Sequence, residues 1–366
     1  MTEATRKPTL AMIAERAHVS KSTVSLALSG AERIHPKTRQ RILALAEELC
    51  YVPPRERLRS DGVKTIGVLL DRQFSWTGES FFTRIVQGVE NEAELAGCDV
   101  LVATVDVSND DFRRLPAFVE RNMVDGVIVV GITNMPYLQE LEAAGKHMVV
   151  VSGGDEGLLH SDYVLNDDYQ GIRQEISHLK ALGHRRIAMI GACLQHLSNL
   201  QRYRAFRIYM EEMLGGYDRE LVDVSGTKDT PAEGRQMVER LIDNGARFTA
   251  LVCMTDELAF GALEGLKSKG LRVHDDVSVV GYDDFQFAAL CDPPLTSVRI
   301  DCEDMGEVAF QVLRNRLQGY SVSHPQRILV GPDLVIREST SKPPACCYQL
   351  KDIGFRASEN HPNNDK

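Results

Sequence analysis

The chain has 366 residues, 43% of them apolar and 26% charged, which suits a globular protein of two or three domains at roughly 150 residues each. No run of about 18 apolar residues occurs, and residues 1–8 lack the apolar core of a signal peptide, so neither a membrane span nor export is expected. Net charge is −10, yet residues 1–60 carry eleven Lys/Arg against six Asp/Glu, a net of +5 that leaves −15 on the remainder. A basic head on an acidic body suits contact with DNA by the head alone.

Residues 1–8 read as a disordered start. Two short helical patterns follow. In the first, Leu10, Ile13, Ala14 and Ala17 form one apolar stripe, with Thr9 as a candidate cap. After a break at 18–20, Ser20 can cap a second pattern whose inward face is Val24, Ala27 and Leu28. Its outward face presents Ser22, Ser25, Leu26 and Ser29, with Lys21 beside Ser25. Two short helices with a tight turn, the second exposing hydrogen-bonding groups, form a helix-turn-helix suited to a major groove. Pro36 suits the first turn of a third helix, for which Ile42, Ala46 and Leu49 give the buried stripe. Residues 9–52 thus form an all-α domain. Residues 53–64 read as a basic hinge, in which Arg55, Arg57 and Arg59 can meet phosphates.

From 65 to 340 the pattern alternates. Apolar strands are expected at 66–70, 100–103, 126–130 and 148–151, with helices at 82–96, around 110–122 and near 136–144. The alternation resumes with helices at 168–182, 202–213, 231–244 and 256–269, and strands at 187–190, 221–224, 250–253 and 277–280. Continuous apolar strands between helical patterns imply parallel sheets covered on both faces. Two doubly wound α/β halves make a two-lobed domain, with ligands expected outside the carboxyl ends of the strands. Residues 341–366 read as a disordered tail.

The ordered matches Thr9, Ile13-Ala14, Ala17, Val19-Ser20, Thr23-Val24-Ser25 and Leu28 strongly resemble the LacI/GalR repressors. Thr38-Arg39, Ile42-Leu43, Ala46, Leu49, Tyr51 and Pro53 continue the pattern. Further on, 182–188, 276–284 and 293–298 resemble the family's effector domain, itself similar to periplasmic sugar-binding proteins; the resemblance spans about 9–340. It implies a cytoplasmic transcriptional repressor that binds a pseudo-palindromic operator as a homodimer, with operator binding modulated by a small-molecule effector of carbohydrate type in the cleft between the lobes, and neither cofactor nor metal. A recognition helix over about 20–28 would present Lys21, Ser22, Thr23, Ser25, Leu26 and Ser29 to DNA. Leu58 would wedge into the minor groove, with Arg55 and Arg57 on the backbone.

Several positions depart from the family's pattern. Leu26 stands where Arg or His is often seen, so bidentate pairing with guanine is lost there. The spacing from Tyr51 to Leu58 is shorter than usual, and Pro54 replaces a common Asn. In the effector domain the resemblance assigns ligand contacts to Arg202, Asp283, Asp167 and the pair Thr255-Asp256, where Asn-Asp is common. Arginine's forked donors suit vicinal hydroxyls, and a carboxylate accepts them. Trp76 and Phe81, around the loop after the first strand, offer aromatic faces for a sugar ring. No leucine heptads follow Ser341, so no helical tetramerisation segment is expected.

Enzyme signatures for phosphate loops, dinucleotide binding, zinc proteolysis and serine hydrolysis do not occur. The eight cysteines, at 50, 98, 193, 253, 291, 302, 346 and 347, form no C-x-x-C pair and read as reduced core residues. The alternative to a regulator is a sugar-binding sensor whose shortened hinge no longer supports specific DNA binding.

Overall fold

The computed structural model describes residues 10–17, 19–20, 23–24, 27, 36–48, 63–72, 81–107, 114–154, 159–320 and 323–344. They form two compact units, Met1–Lys64 with Glu94–Cys98 and Thr65–Ala93 with Asp99–Lys366.

In the first unit, helix α1 spans Leu10–Arg16 and α2 spans Pro36–Glu48; Thr23, Val24 and Ala27 are helical between them. Ile13, Ala14, Ala17, Val24, Ala27, Ile42 and Ala46 make one buried cluster, with Val19 and Leu45 packed against it. These are the stripes that helical spacing picks out. Ser20 Oγ accepts from the Thr23 amide at 3.1 Å, which satisfies one of the amides a helix start leaves open. The two hydroxyls also meet at 2.8 Å. Arg41 donates to the Ala17 carbonyl at 2.5 Å and Arg39 to the Ala27 carbonyl at 3.4 Å, so two cations of α2 close backbone acceptors across the unit. The remaining expected DNA contacts, Lys21, Ser22, Ser25, Leu26, Ser29, Arg55, Arg57 and Leu58, lie outside the described residues.

The second unit holds twelve strands among the described residues. In chain order they are β1 (Thr65–Asp71), β2 (Asp99–Val105), β3 (Gly126–Val130), β4 (His147–Val151), β5 (Asp162–Asn166), β6 (Ile187–Ala192), β7 (Val222–Gly226), β8 (Ala250–Cys253), β9 (Ser278–Asp283), β10 (Thr296–Arg299), β11 (Arg327–Val330) and β12 (Asp333–Val335). One sheet has the order β11-β5-β4-β3-β1-β2 and the other β12-β10-β9-β8-β6-β7. All pairings are parallel except β10 with β12. The central strands are buried along their whole length, as their unbroken Val, Ile and Leu runs require.

The helices of this unit are α3 (Phe81–Ala96), α4 (Ala117–Glu120), α5 (Met135–Ala143), α6 (Asp168–Leu182), α7 (Leu197–Leu214), α8 (Pro231–Asp243), α9 (Asp256–Ser268) and α10 (Cys302–Leu317). The chain passes from the first sheet to the second after Asn166, returns after Arg299, and crosses again between Val330 and Asp333. Two crossings touch: the Asp167 amide donates to the Val330 carbonyl at 3.0 Å. Gln174 Nε2 adds a bond to the Pro332 carbonyl at 2.9 Å.

Some elements differ from the sequence expectation. The helix expected around 110–122 is only Ala117–Glu120 among the described residues, because Pro116 sets its start. The helix expected from 202 begins at Leu197, behind a His196 cap that makes no side-chain bond and so leaves no cap signal. Strands β5, β10, β11 and β12 and helix α10 had no counterpart in the expected alternation. No described helix is long and apolar enough to cross a membrane.

Candidate functional site

A cavity of about 630 Å³ opens where the carboxyl ends of strands from both sheets meet. The first lobe supplies Phe81 and Phe82 from the start of α3, Ser152 after β4, and Asn166 at the end of β5. The second supplies Cys193 after β6, Asn199 and Arg202 on α7, Thr227 and Asp229 after β7, Thr255 after β8 and Asp283 ending β9. Ser152, Cys193 and Asp283 have positive φ angles of 50°, 51° and 102°. Non-glycine residues adopt that region at a cost, and such residues cluster where a side chain must be aimed at a ligand.

Behind the cavity lies a network centred on Arg202, only 3% exposed. Nε donates to Asp168 Oδ1 at 2.8 Å, Nη1 to the Met254 carbonyl at 2.6 Å and Nη2 to Asp283 Oδ1 at 3.3 Å. The guanidinium carbon stands 3.7 Å from the centre of the Tyr282 ring. The Tyr282 hydroxyl needs a gap on α6, which Gly171 leaves: a Cβ there would fall 2.0 Å from that oxygen. Arg202 therefore has donors committed inside the protein, on two carboxylates and a carbonyl.

The burial has electrostatic consequences. Burial works against the Arg202 charge, but Asp168 and Asp283 outweigh it and hold the guanidinium above its usual range. Burial pushes the Asp283 carboxyl up to about 7, against the pull of Arg202. Burial also raises Asp168, again opposed by Arg202. Glu175, on α6, is fully buried and neither carboxyl oxygen has a hydrogen-bond partner; burial raises it well above the carboxylate range. Burial raises Asp229 and lowers His196. Burial pushes the Cys193 thiol to about 11, which disfavours a thiolate in the cavity.

Of the effector residues expected from sequence, Phe81, Arg202, Thr255 and Asp283 line the cavity together. Thr255 also caps α9 by accepting from the Leu258 amide at 3.3 Å. Asp167 and Asp256 do not line it. Asp167 caps α6 through the Gln170 amide at 2.9 Å. Asp256 is fully buried and accepts from Ser297 Oγ at 2.6 Å and the Phe285 amide at 2.8 Å, so it braces the turn that carries Asp283. Trp76 lies outside the described residues. Phe82, Ser152, Asn166, Cys193, Asn199 and Asp229 line the cavity without having been singled out. Their one shared signal is position, at or just beyond a strand's carboxyl end or at a helix start.

A two-lobed receptor fold with a polar cleft, in a chain that begins with a helix-turn-helix core, defines a ligand-responsive DNA-binding protein. Residues 9–54 match the model of bacterial regulatory proteins of the lacI family, and residues 176–340 match a periplasmic binding protein-like domain. The regulator CelR of Thermobifida fusca is 31% identical over 343 residues, covering 92% of this chain and 99% of that protein. DegA of Bacillus subtilis is 28% identical over 338 residues, covering 92% and 98%. Among solved structures, a complex of CelR with cellobiose covers 91% of this chain and 99% of its own at 31% identity, with a TM-score of 0.68. A lac repressor dimer bound to operator and an anti-inducer covers 92% and 100% at 26% identity, with a TM-score of 0.66. The chain belongs to the LacI family of bacterial transcriptional regulators, which are not enzymes.

Proposed function

We propose that the protein is a repressor that binds a pseudo-palindromic operator as a homodimer and responds to a carbohydrate held between its lobes. The observation that carries this reading is the 630 Å³ cavity with contacts from both lobes, in a chain that also has a helix-turn-helix core. That volume lies within the range of small-molecule sites, about 300–1,000 Å³. Sugar hydroxyls fit its carboxylates and amides, and the Phe81 and Phe82 rings, 5.1 Å apart and nearly perpendicular, offer an apolar wall. CelR, a relative of similar length, holds cellobiose in its solved complex.

A homodimer is supported by large apolar side chains left in solvent on the second lobe. Phe287 is 69% exposed and Leu290 76%. The proposed division of labour assigns residues 9–52 to DNA, 53–64 to the hinge and 65–340 to effector and dimer contacts. Lys21, Ser22, Ser25 and Leu26 would face base edges, and Leu58 the minor groove. Such a protein works in the cytoplasm.

An effector that favours one arrangement of the lobes couples to DNA by its differential affinity for the two arrangements. Selection of random duplexes by the purified full chain near physiological salt tests the reading. Enrichment of a two-fold-symmetric site is expected. Uniform, steeply salt-dependent binding without enrichment contradicts it and favours the sensor alternative.

A further inference from the structure

We propose that the C-terminal strap, residues 337–342, is fastened to the second lobe by a clamp that acid opens, with His178 and His184 as its sensing groups. Neither ring lines the cavity, so the inference stands whether or not a sugar binds there.

Helix α6 is bonded to the returning chain near both of its ends. Near its start, the Asp167 amide donates to the Val330 carbonyl and Gln174 to the Pro332 carbonyl. Near its far end the bonds fall on imidazoles. His178 Nε2 meets Thr340 Oγ1 at 3.0 Å, and His184, just past the Gly183 cap, places Nε2 2.8 Å from the Ser341 carbonyl. That carbonyl can only accept, so Nε2 carries the proton. Nδ1, 2.8 Å from Thr249 Oγ1, then accepts in the neutral ring. A second proton would put a charge on a residue only 1% exposed and turn the Thr249 hydroxyl toward the Arg186 carbonyl, 3.5 Å away. Ser341 completes the clamp: its amide donates to Ser278 Oγ and its hydroxyl to the His274 carbonyl, each at 3.0 Å.

Among the described residues no carboxylate acts on either ring, and the charged group that acts on His178 is His184. On α6, Glu175 belongs to the Arg202 cluster and Lys180 is exposed. On the strap, Arg337 pairs with Asp284 at 2.6 Å, while Glu338 and Lys342 are exposed. Arg186, before β6, is engaged by the Arg247 carbonyl and Asp218. Asp275 and Asp276, before β9, pair with Arg272. Burial therefore holds both imidazoles below their ordinary value of 6.5. A released strap frees them to take protons near that value, so the open form binds more protons. The clamped form is favoured above about pH 6.5 and loses ground as pH falls below it. Each ring can lower the clamped-to-open ratio about tenfold between pH 7.5 and 5.5. The first half of the strap has no such group in its bonds. There the Arg337 amide donates to Thr296 Oγ1 at 2.9 Å, the Glu338 amide to the Pro294 carbonyl at 3.0 Å, and the Val279 amide to the Ser339 carbonyl at 2.9 Å.

The test is amide hydrogen exchange of the full chain, resolved by NMR at pH 7.5 and 5.5 and expressed as protection factors, which remove the intrinsic pH dependence of exchange. The Ser341 amide is expected to lose roughly ten- to a hundredfold of its protection at the lower pH, and the Glu338 and Val279 amides less than about threefold. Asp283 acts on the lobe in the opposite direction, because its folded carboxyl takes the proton, so acid destabilisation of the whole lobe is not the expected pattern. His178→Gln and His184→Gln each keep a donor and an acceptor without titrating. Each is expected to reduce the loss at Ser341 about tenfold, and the double variant to abolish it. His178→Gln decides the matter alone should the change at the more buried His184 prevent folding. Equal protection of Ser341 at both pH values, a loss shared equally by Glu338 and Val279, or a full loss retained in a folded variant would each overturn the proposal.

Discussion

In the N-terminal unit the side chains removed from water are Ile13, Ala14, Ala17, Val24, Ala27, Ile42 and Ala46. Behind the cavity they include Arg202, Asp168, Glu175, Asp256 and Asp283. The first group gains free energy by leaving water, about 25 cal/mol for each Å² of apolar surface. The second must recover a large desolvation cost through close pairing, and it does so unevenly. Arg202 and Asp168 pair at 2.8 Å, whereas Glu175 has no hydrogen bond at all. One region is built for persistence. The other holds polar groups at the edge of a cavity where a ligand can change their balance.

That contrast can be broken most severely at its centre. Arg202→Ala leaves Asp168 and Asp283 buried without their cation and is expected to destabilise the fold by about 3–5 kcal/mol. Denaturant unfolding measures this; a loss under 1 kcal/mol would mean that the network contributes little. Ile42→Ala, in the all-apolar core, is expected to destabilise the N-terminal unit by about 2–5 kcal/mol. Loss of DNA binding on gentle heating, with the lobes still folded, would report it.

Glu175→Met points the other way. It replaces an unpaired buried carboxyl with an apolar chain of similar size and is expected to stabilise by about 1–3 kcal/mol, the cost of leaving a buried polar group without a hydrogen bond. An unchanged or lower melting temperature would show that Glu175 has a partner when the protein is at work.

Asp283 gives a pH signature. Its folded carboxyl titrates near 7, well above an unfolded aspartate near 3.9, so the folded state holds the proton more tightly. Between those values the unfolded state has already ionised, and stability falls as pH rises. Asp283→Asn removes that titration and should flatten the fall in melting temperature between pH 4 and about 7. An identical slope in parent and variant would contradict the assignment. The smallest effect concerns sequence preference. Leu26→Arg is expected to add guanine preference at one operator position, worth about 1–3 kcal/mol of discrimination. Selection on random duplexes with both proteins would show it as a change in one column.

What could be read from the amino-acid sequence follows the same divide. Helical spacing alone picked out Ile13, Ala14, Ala17, Val24, Ala27, Ile42 and Ala46, because an apolar core repeats with the helix. The runs that became β1, β3, β4, β6, β8 and β9 were legible as continuous apolar strands. Strand β5 was not: Asp162 and Asn166 bound a short run, and both are buried for reasons of pairing and position. Asp162 is held by Arg316 at 2.6 and 2.7 Å, a partner 154 residues away. Helix α10 escaped notice although Asp301 caps it through the Asp304 amide at 3.0 Å. In the site, Arg202, Thr255 and Asp283 came from family resemblance. Asp229 could not, since its place on the cavity wall depends on how the chain folds after β7. Asp256 faces Ser297 rather than the cavity, a difference the sequence does not carry because a carboxylate at a helix start looks the same in either setting.

The central claim is that the cavity and the DNA-binding unit are coupled. The direct measurement is the affinity of the full chain for its selected operator, with and without a saturating amount of the tightest-binding sugar found by calorimetric titration. Coupling of about 1–3 kcal/mol, a change of roughly 5- to 150-fold in either direction, is the predicted result. An operator affinity that the sugar leaves unchanged, with binding of both ligands demonstrated, would contradict the account.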